Sequence, residues 1–259
     1  MEFKYKDFEF GIWDSKYKKS LLFIAISGGH AYGWSSPKSK DIDIRLIWIP
    51  ELLQALSIRH RGRPKHHMVE LDNDKILDFT TMPIHNFLNL LAFKGNANAL
   101  ENLFQEKLYS NDVLVKKIQK LTLDNLCIKF LRHYLGYTNN LRKDLSIPSR
   151  MKRFGIHKNL LTSLKNLRAG LILGEYKKVV YNIEEQQKYY YSDYQYTILS
   201  DYLTGKKTST SIIEDFKFEI SHYFIQLEDM IKESKLLKEF PSIVYDRFLR
   251  DYYIGEMKK

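Results

Sequence analysis

The sequence predicts an α+β protein, with a mixed α/β domain over residues 1–108 and an all-helical domain over residues 109–259. Three observations carry this. Short apolar runs broken by glycines and turn clusters fill the first part, as strands alternating with short helices do. From about Tyr109 apolar residues recur at helical spacing to the end of the chain. The chain is 44% apolar with only 12 Gly and 6 Pro, enough for a real core and too little for disorder. With no Gly/Pro-rich linker near residue 108, the two parts are expected to pack together.

Taken in order, Leu21–Ser27 reads as a buried strand, ended by Gly28-Gly29. His30–Trp34 starts a short helix, and residues 35–40 form a turn cluster. Asp41–Pro50 is a second strand and Glu51–Leu56 a short helix. Residues 59–67, rich in Arg and His, read as a basic loop lying near nucleic acid. Val69–Leu71 and Ile76–Thr80 flank Asp72-Asn73-Asp74-Lys75, a hairpin turn. Pro83 opens a helix from about Ile84. Gly95-Asn96 breaks it, and Ala97–Phe104 begins another. Helices are expected over 111–122, 124–143, 156–173, 178–204, 209–234 and 240–254, with Thr210 or Ser211 capping the fifth. Tyr189–Tyr196 reads as a half-buried aromatic stripe or a base-stacking surface.

Composition excludes several classes. Cys127 is the only cysteine, so neither an intrachain disulfide nor a Cys-based zinc site is possible. Neither a signal-peptide-like stretch nor a run of about 18 apolar residues is visible, so a soluble, cytoplasmic protein without membrane contact is expected. The net charge of +10 is localised: residues 129–178 hold twelve Lys or Arg against two acids, Asp144 and Glu175. Such a block suits a polyanion, with RNA the favoured partner. Arg142, Lys143, Arg150, Lys152, Arg153, Lys158 and Arg168 are the candidate nucleic-acid contacts.

The chemistry centres on Ser27-Gly28-Gly29 and Asp41-Ile42-Asp43, separated by eleven residues. In a strand, positions i and i+2 share a face, so Asp41 and Asp43 present two carboxylates side by side. Adjacent carboxylates repel unless a cation lies between them, and Mg²⁺ prefers such oxygens together with substrate phosphates. Paired glycines let backbone N–H groups approach phosphate oxygens. A two-metal clamp needs a third carboxylate from another strand. Asp78 is favoured, with Glu70 and Asp72 as competitors. Arg45 should share the face of the two acids. Tyr32 either stacks on a base or packs the short helix.

Gly28-Gly29-His30-Ala31-Tyr32-Gly33, followed by Ser39-Lys40-Asp41-Ile42-Asp43-Ile44-Arg45, resembles the signature of the DNA polymerase beta superfamily of nucleotidyltransferases, and within it the RNA repair pathway branch. The similarity continues through Asp78, Phe87, Lys94-Gly95-Asn96 and Glu101-Asn102-Leu103-Phe104, and more weakly through Leu167–Gly170 and Gly174–Tyr176. Gly29 stands where the branch usually has Ser, Lys40 is inserted before the acids, and Ala97 replaces a Pro. Lys165 stands where a His is expected.

The resemblance implies a polymerase-beta-like catalytic domain with a short mixed sheet. Asp41, Asp43 and Asp78 would be catalytic residues and ligands of two Mg²⁺ ions, with Mn²⁺ as a substitute. An NTP would be held by Ser27, Gly28, Gly29, Tyr32, Ser39, Arg45, Lys94 and Asn96. A nucleoside monophosphate would pass to a hydroxyl, with an RNA end favoured over a protein or small molecule.

Overall fold

Alternating apolar residues build a five-stranded mixed sheet, and the helices group around it and around a second core. The structure is a computed structural model, and it describes residues 20–35, 41–56, 65–71, 75–145 and 155–258. In chain order the elements are β1 (Leu21–Ile26), α1 (Gly28–Tyr32), β2 (Asp41–Trp48), α2 (Leu52–Leu56), β3 (Lys65–Leu71), β4 (Lys75–Pro83), α3 (Ile84–Ala92), α4 (Ala97–Phe104), β5 (Lys107–Ser110) and α5 (Asp112–Asp124). There follow α6 (Ile128–Leu145), α7 (Ile156–Tyr176), α8 (Ile183–Gln186), α9 (Asp193–Thr204), α10 (Thr210–Glu233) and α11 (Ile243–Met257).

The described residues divide into two compact units. One runs to Gly28, then from Asp41 to Asn125, then from Glu239 onward; the other takes Gly29–Ser35 and Leu126–Lys238. The division therefore does not follow a single cut after residue 108. Residues 109–125 and the C-terminal helix group with the sheet, and residues 29–35 group with the helices.

In the sheet unit the strand order is β3-β4-β2-β1-β5. The central pair β2–β4 is parallel and the others are antiparallel. Period-two alternation sends Ile42, Ile44 and Leu46 with Leu77 and Phe79 into one buried cluster, joined by Leu21 and Ile24. Each such side chain, fully buried, contributes about 1.5–3 kcal/mol. β1 also buries Phe23, which meets Phe87 of α3 edge-on at 5.5 Å. α3 begins directly after Pro83, as expected.

β5 lies inside a stretch where helical spacing was expected to take over. Leu108 and Tyr109 pack against the sheet cluster, and pairing with β1 overrides local periodicity. At the start of β5, Lys107 is half-buried, with its ammonium over the Phe23 ring at 4.9 Å. Its ammonium donates to Gln105 O and, at 2.8 Å, to Asn102 O, so it caps the end of α4. Burial pushes this amine down to about 7. α11 returns to the unit through Tyr245, whose hydroxyl lies 2.6 Å from Thr122 Oγ1, and Tyr253, whose hydroxyl donates to Pro50 O.

In the helical unit α7 is the hub, packed by α6, α9 and α10. It is buried along nearly its whole length from Asn159 to Leu173. Gly170 and Gly174 allow α10 to approach: a Cβ at Gly174 would lie 2.2 Å from Met230 Sδ, and one at Gly170 would lie 2.9 Å from Leu227 Cδ2.

The helix expected over 124–143 is instead broken at Cys127, which forms a parallel bridge with Leu237 and is fully buried. The helix expected over 178–204 is two short helices, each opened by its own cap. Asn182 Oδ1 accepts from Glu184 N and Ser192 Oγ from Gln195 N. Ser209, rather than Thr210 or Ser211, caps α10.

Candidate active site

The site is built by strand register. Parallel pairing of β2 with β4 sets Asp43 directly beside Asp78, with Asp41 beside Ile76 and Arg45 beside Thr80. Because the side-chain period is two, Asp41, Asp43, Arg45, Asp78 and Thr80 occupy one face, opposite the buried isoleucines. Neighbouring strands lie about 4.8 Å apart, so the two carboxylates on Asp43 and Asp78 start from adjacent Cα positions. Glu70 of β3 shares this face but is exposed and pairs with Ile76, not with either acid of β2. Asp72, the other competitor, lies outside the described residues.

The chain end of β1 closes on the same carboxylate. Ser27 N donates to Asp43 O at 2.8 Å. Gly28 has φ +64, and a Cβ on it would sit 1.9 Å from Asp43 Oδ2. Only glycine combines that conformation with that approach. Ser27 is 4% exposed, and among the described residues its Oγ has no hydrogen-bond partner. A buried hydroxyl left in this way costs about 1–3 kcal/mol until a ligand oxygen or water satisfies it.

Two further bonds organise the face. Arg45 Nη1 donates to Thr80 Oγ1 at 2.7 Å, tying β2 to β4 just beyond the acids. His66 Nε2 lies 2.5 Å from Asp78 Oδ1. Among the described residues, no three acidic, His or Cys side chains are gathered tightly enough to hold a metal ion as placed. The acids are aligned by backbone register, while the Asp78 carboxylate is engaged by β3.

The remaining sequence candidates fall in varied surroundings. Gly29 follows Gly28 in α1, and its Hα side faces Trp34. Tyr32 packs against Trp34 at 5.2 Å, and the Lys165 ammonium lies 4.0 Å from its ring centre, which favours the packing role. Ser39 lies outside the described residues. Lys94 is exposed. Asn96 is the N-cap of α4, its side-chain oxygen accepting from Ala99 N. Glu101 is fully buried.

Among the basic candidates, Arg150, Lys152 and Arg153 lie outside the described residues. Lys143 and Lys158 are exposed, and Arg142 lies over the Phe224 ring at 4.6 Å. Arg168 requires a correction. It is fully buried on α7 and bonds Gln195 Oε1 at 2.6 Å and Glu219 Oε1 at 3.1 Å, so it offers no cation to a surface ligand. The tyrosines of residues 189–196 are not one stripe. Tyr190 donates to Glu175, Tyr189 meets Tyr176, and Tyr191 and Tyr196 are exposed.

His66 and His67 are another correction, since both lie on β3 rather than in a basic loop. His67 stacks on Phe79, at 5.0 Å, and His66 reaches Asp78 from the opposite face. The link between His66 and Asp78 was not read from the sequence. It depends on the β3–β4 register, Leu71 with Lys75 and Met68 with Asp78, which sets His66 one strand period further along.

A short mixed sheet with an acid-x-acid strand, a third acid in parallel register and a glycine turn against it defines a nucleotidyltransferase. The family model described as the RNA repair pathway DNA polymerase beta family matches residues 8–191, more than half of the chain, and the chain belongs to that family. No curated protein matches the sequence. Among solved structures, a nucleotidyltransferase-like protein from Exiguobacterium sibiricum 255-15 is similar at 11% identity, with a TM-score of 0.31. That likeness covers 83% of this chain and 69% of the other. The assignment rests on the family model and the sheet face, not on this likeness.

Proposed function

We propose that this nucleotidyltransferase moves a nucleoside monophosphate from an NTP to a hydroxyl, preferentially on an RNA end, with Mg²⁺ and release of pyrophosphate. The observation that carries the reading is the parallel register of Asp43 with Asp78, with the Gly28 backbone lying against the Asp43 carboxylate. The donor set fits a hard divalent cation, being all carboxylate oxygen on one face, and a bare residue 28 leaves the Asp43 carboxylate unobstructed.

Asp41, Asp43 and Asp78 would hold the Mg²⁺ ions, with Mn²⁺ as a substitute. Bound there, the metal supplies charge neutralisation at the α-phosphate and on the leaving pyrophosphate. Backbone N–H groups of the Gly28-Gly29 turn bind phosphate oxygens, and a phosphate oxygen accepts from the Ser27 hydroxyl. Asp78 takes the proton of the acceptor hydroxyl as its oxygen bonds the α-phosphorus and the bond from that phosphorus to the bridging oxygen breaks. Arg45, held by Thr80, keeps β2 and β4 in register beside the acids.

The RNA preference is supported by the family and by the basic segment. One observation favours a second reading, transfer to a protein or small-molecule hydroxyl. Lys165 and Arg168 are buried, so part of the positive excess never faces an acceptor. Incubation with each α-labelled NTP, Mg²⁺ and RNA tests the choice. Label on RNA supports the first reading, label on protein or small molecules alone supports the second, and no transfer to any acceptor contradicts both.

A further inference from the structure

We propose that His66 is a positioning residue for the third carboxylate, holding Asp78 so that one oxygen remains turned to the acids of β2. This rests on the nucleotidyl-transfer reading above. His66 lies on β3, diagonally across from Asp78 on β4, one strand period beyond its paired residue Met68. Its Nε2 lies 2.5 Å from Asp78 Oδ1. An ionised carboxylate only accepts, so Nε2 carries the hydrogen and donates it.

The direction of this bond matters. Asp78 has Asp43 as its neighbour on one side and β3 on the other. A short aspartate between them can lean either way. A donor from β3 that occupies Oδ1 leaves Oδ2 for the β2 side and removes the freedom of the carboxyl to rotate. Carboxylates that ligate metals are usually held by such outer hydrogen bonds, and losing one costs about 10–100-fold in metal affinity.

Among the described residues no packing role explains the residue instead. The His66 side chain is 57% exposed, at the edge of the sheet, and the core side of β3 is served by its neighbour His67 on Phe79. The register also explains why His is suited to this position. A side chain shorter than imidazole would not span the diagonal of about 7–8 Å between such strand positions.

The test is Mn²⁺ binding, followed by electron paramagnetic resonance on the full chain, for the wild type, His66→Ala, His66→Gln and His66→Phe. His66→Ala and His66→Phe should each bind Mn²⁺ at least tenfold more weakly, with unchanged thermal midpoints. Gln, which places an N–H donor at similar reach, should return affinity to within about threefold. In transfer assays the two donor-less variants should show a raised Mn²⁺ requirement and an unchanged KM for the acceptor.

Binding within twofold of wild type in both donor-less variants overturns the proposal, as does tighter binding, or a Gln variant as weak as Ala. If Asp43→Asn abolishes binding while the His66 variants do not, the proposal falls and the transfer reading stands. If the wild type binds no Mn²⁺, both fall.

Discussion

The sheet face and the α7 core both place charged side chains among apolar neighbours, and they treat them in opposite ways. On the sheet, Asp41 is exposed, while Asp43, Arg45 and Asp78 are half-buried, each set by register on one accessible face. On α7, Arg168 and Lys165 are buried. Arg168 is matched within the unit by Gln195, by Glu219 and by the Tyr223 ring at 5.2 Å. Ser192 secures the other Glu219 oxygen at 2.7 Å. A buried charge bonded to groups on neighbouring helices holds those helices together. Three carboxylates on one sheet face, with a bare glycine against one of them, suit a cation that arrives from solution.

Removing a charge from each region separates the two roles. Asp43→Asn keeps the shape of the side chain and should cut transfer about 10³-fold or more, with an unchanged circular dichroism spectrum. Arg168→Ala should instead lower stability by about 3 kcal/mol, because a fully buried side chain is emptied and the partly buried Glu219 loses its cation. Denaturant melts would show this, and transfer per folded molecule should be unaffected. If Arg168→Ala left stability intact and abolished transfer, the assignment of the two regions would be reversed.

Gly28→Ala tests the closeness of the turn to the acids. The added methyl group meets the Asp43 carboxylate in a left-handed backbone, so transfer should fall about 10²-fold and stability by about 1–2 kcal/mol. Single-turnover rates and thermal melts distinguish these.

Much of this was legible in the residues. Leu21–Ile26 before two glycines, and Asp41–Trp48 with its alternating acids, announce both strands and the shared face of Asp41 and Asp43. Asp78 could be favoured over Glu70 because it sits on a strand leading into a helix. Its partnership with Asp43 needed the β2–β4 pairing, a long-range contact that local pattern does not encode. β5 was hidden for the same reason, since four residues pairing with β1 carry too little periodicity of their own. Arg168 misled because charge counted along a sequence says nothing of burial. The capping role of Asn96 was not read, because a helix cap and a polar ligand contact use the same side chain.

Lys107 extends the comparison to a half-buried cation within the sheet unit. Its folded value of about 7 lies below the ordinary 10.5. Between those two pH values the unfolded chain keeps a proton that the folded chain has released, so stability should rise with pH across that window. The cost of burying the ammonium is present in full below about pH 7. Denaturant melts from pH 7 to 10 should show the rise, and Lys107→Met should flatten it.

The smallest effect is expected at the exposed cations. Lys143→Ala with Lys158→Ala should weaken RNA binding a few-fold and lower the salt slope by about 1.4, from roughly 0.7 per lost single-strand phosphate contact. Binding titrations at several salt concentrations read it, and an unchanged slope would remove these lysines from the acceptor surface.

The central claim is that the accessible sheet face performs nucleotidyl transfer. Its most direct test is to measure pyrophosphate release and label transfer from an α-labelled NTP together, in the wild type and in an Asp41→Asn/Asp43→Asn double variant. The account predicts one pyrophosphate for each labelled acceptor in the wild type, and neither product in the double variant. Equal turnover in both proteins, or label transfer without pyrophosphate, would contradict it.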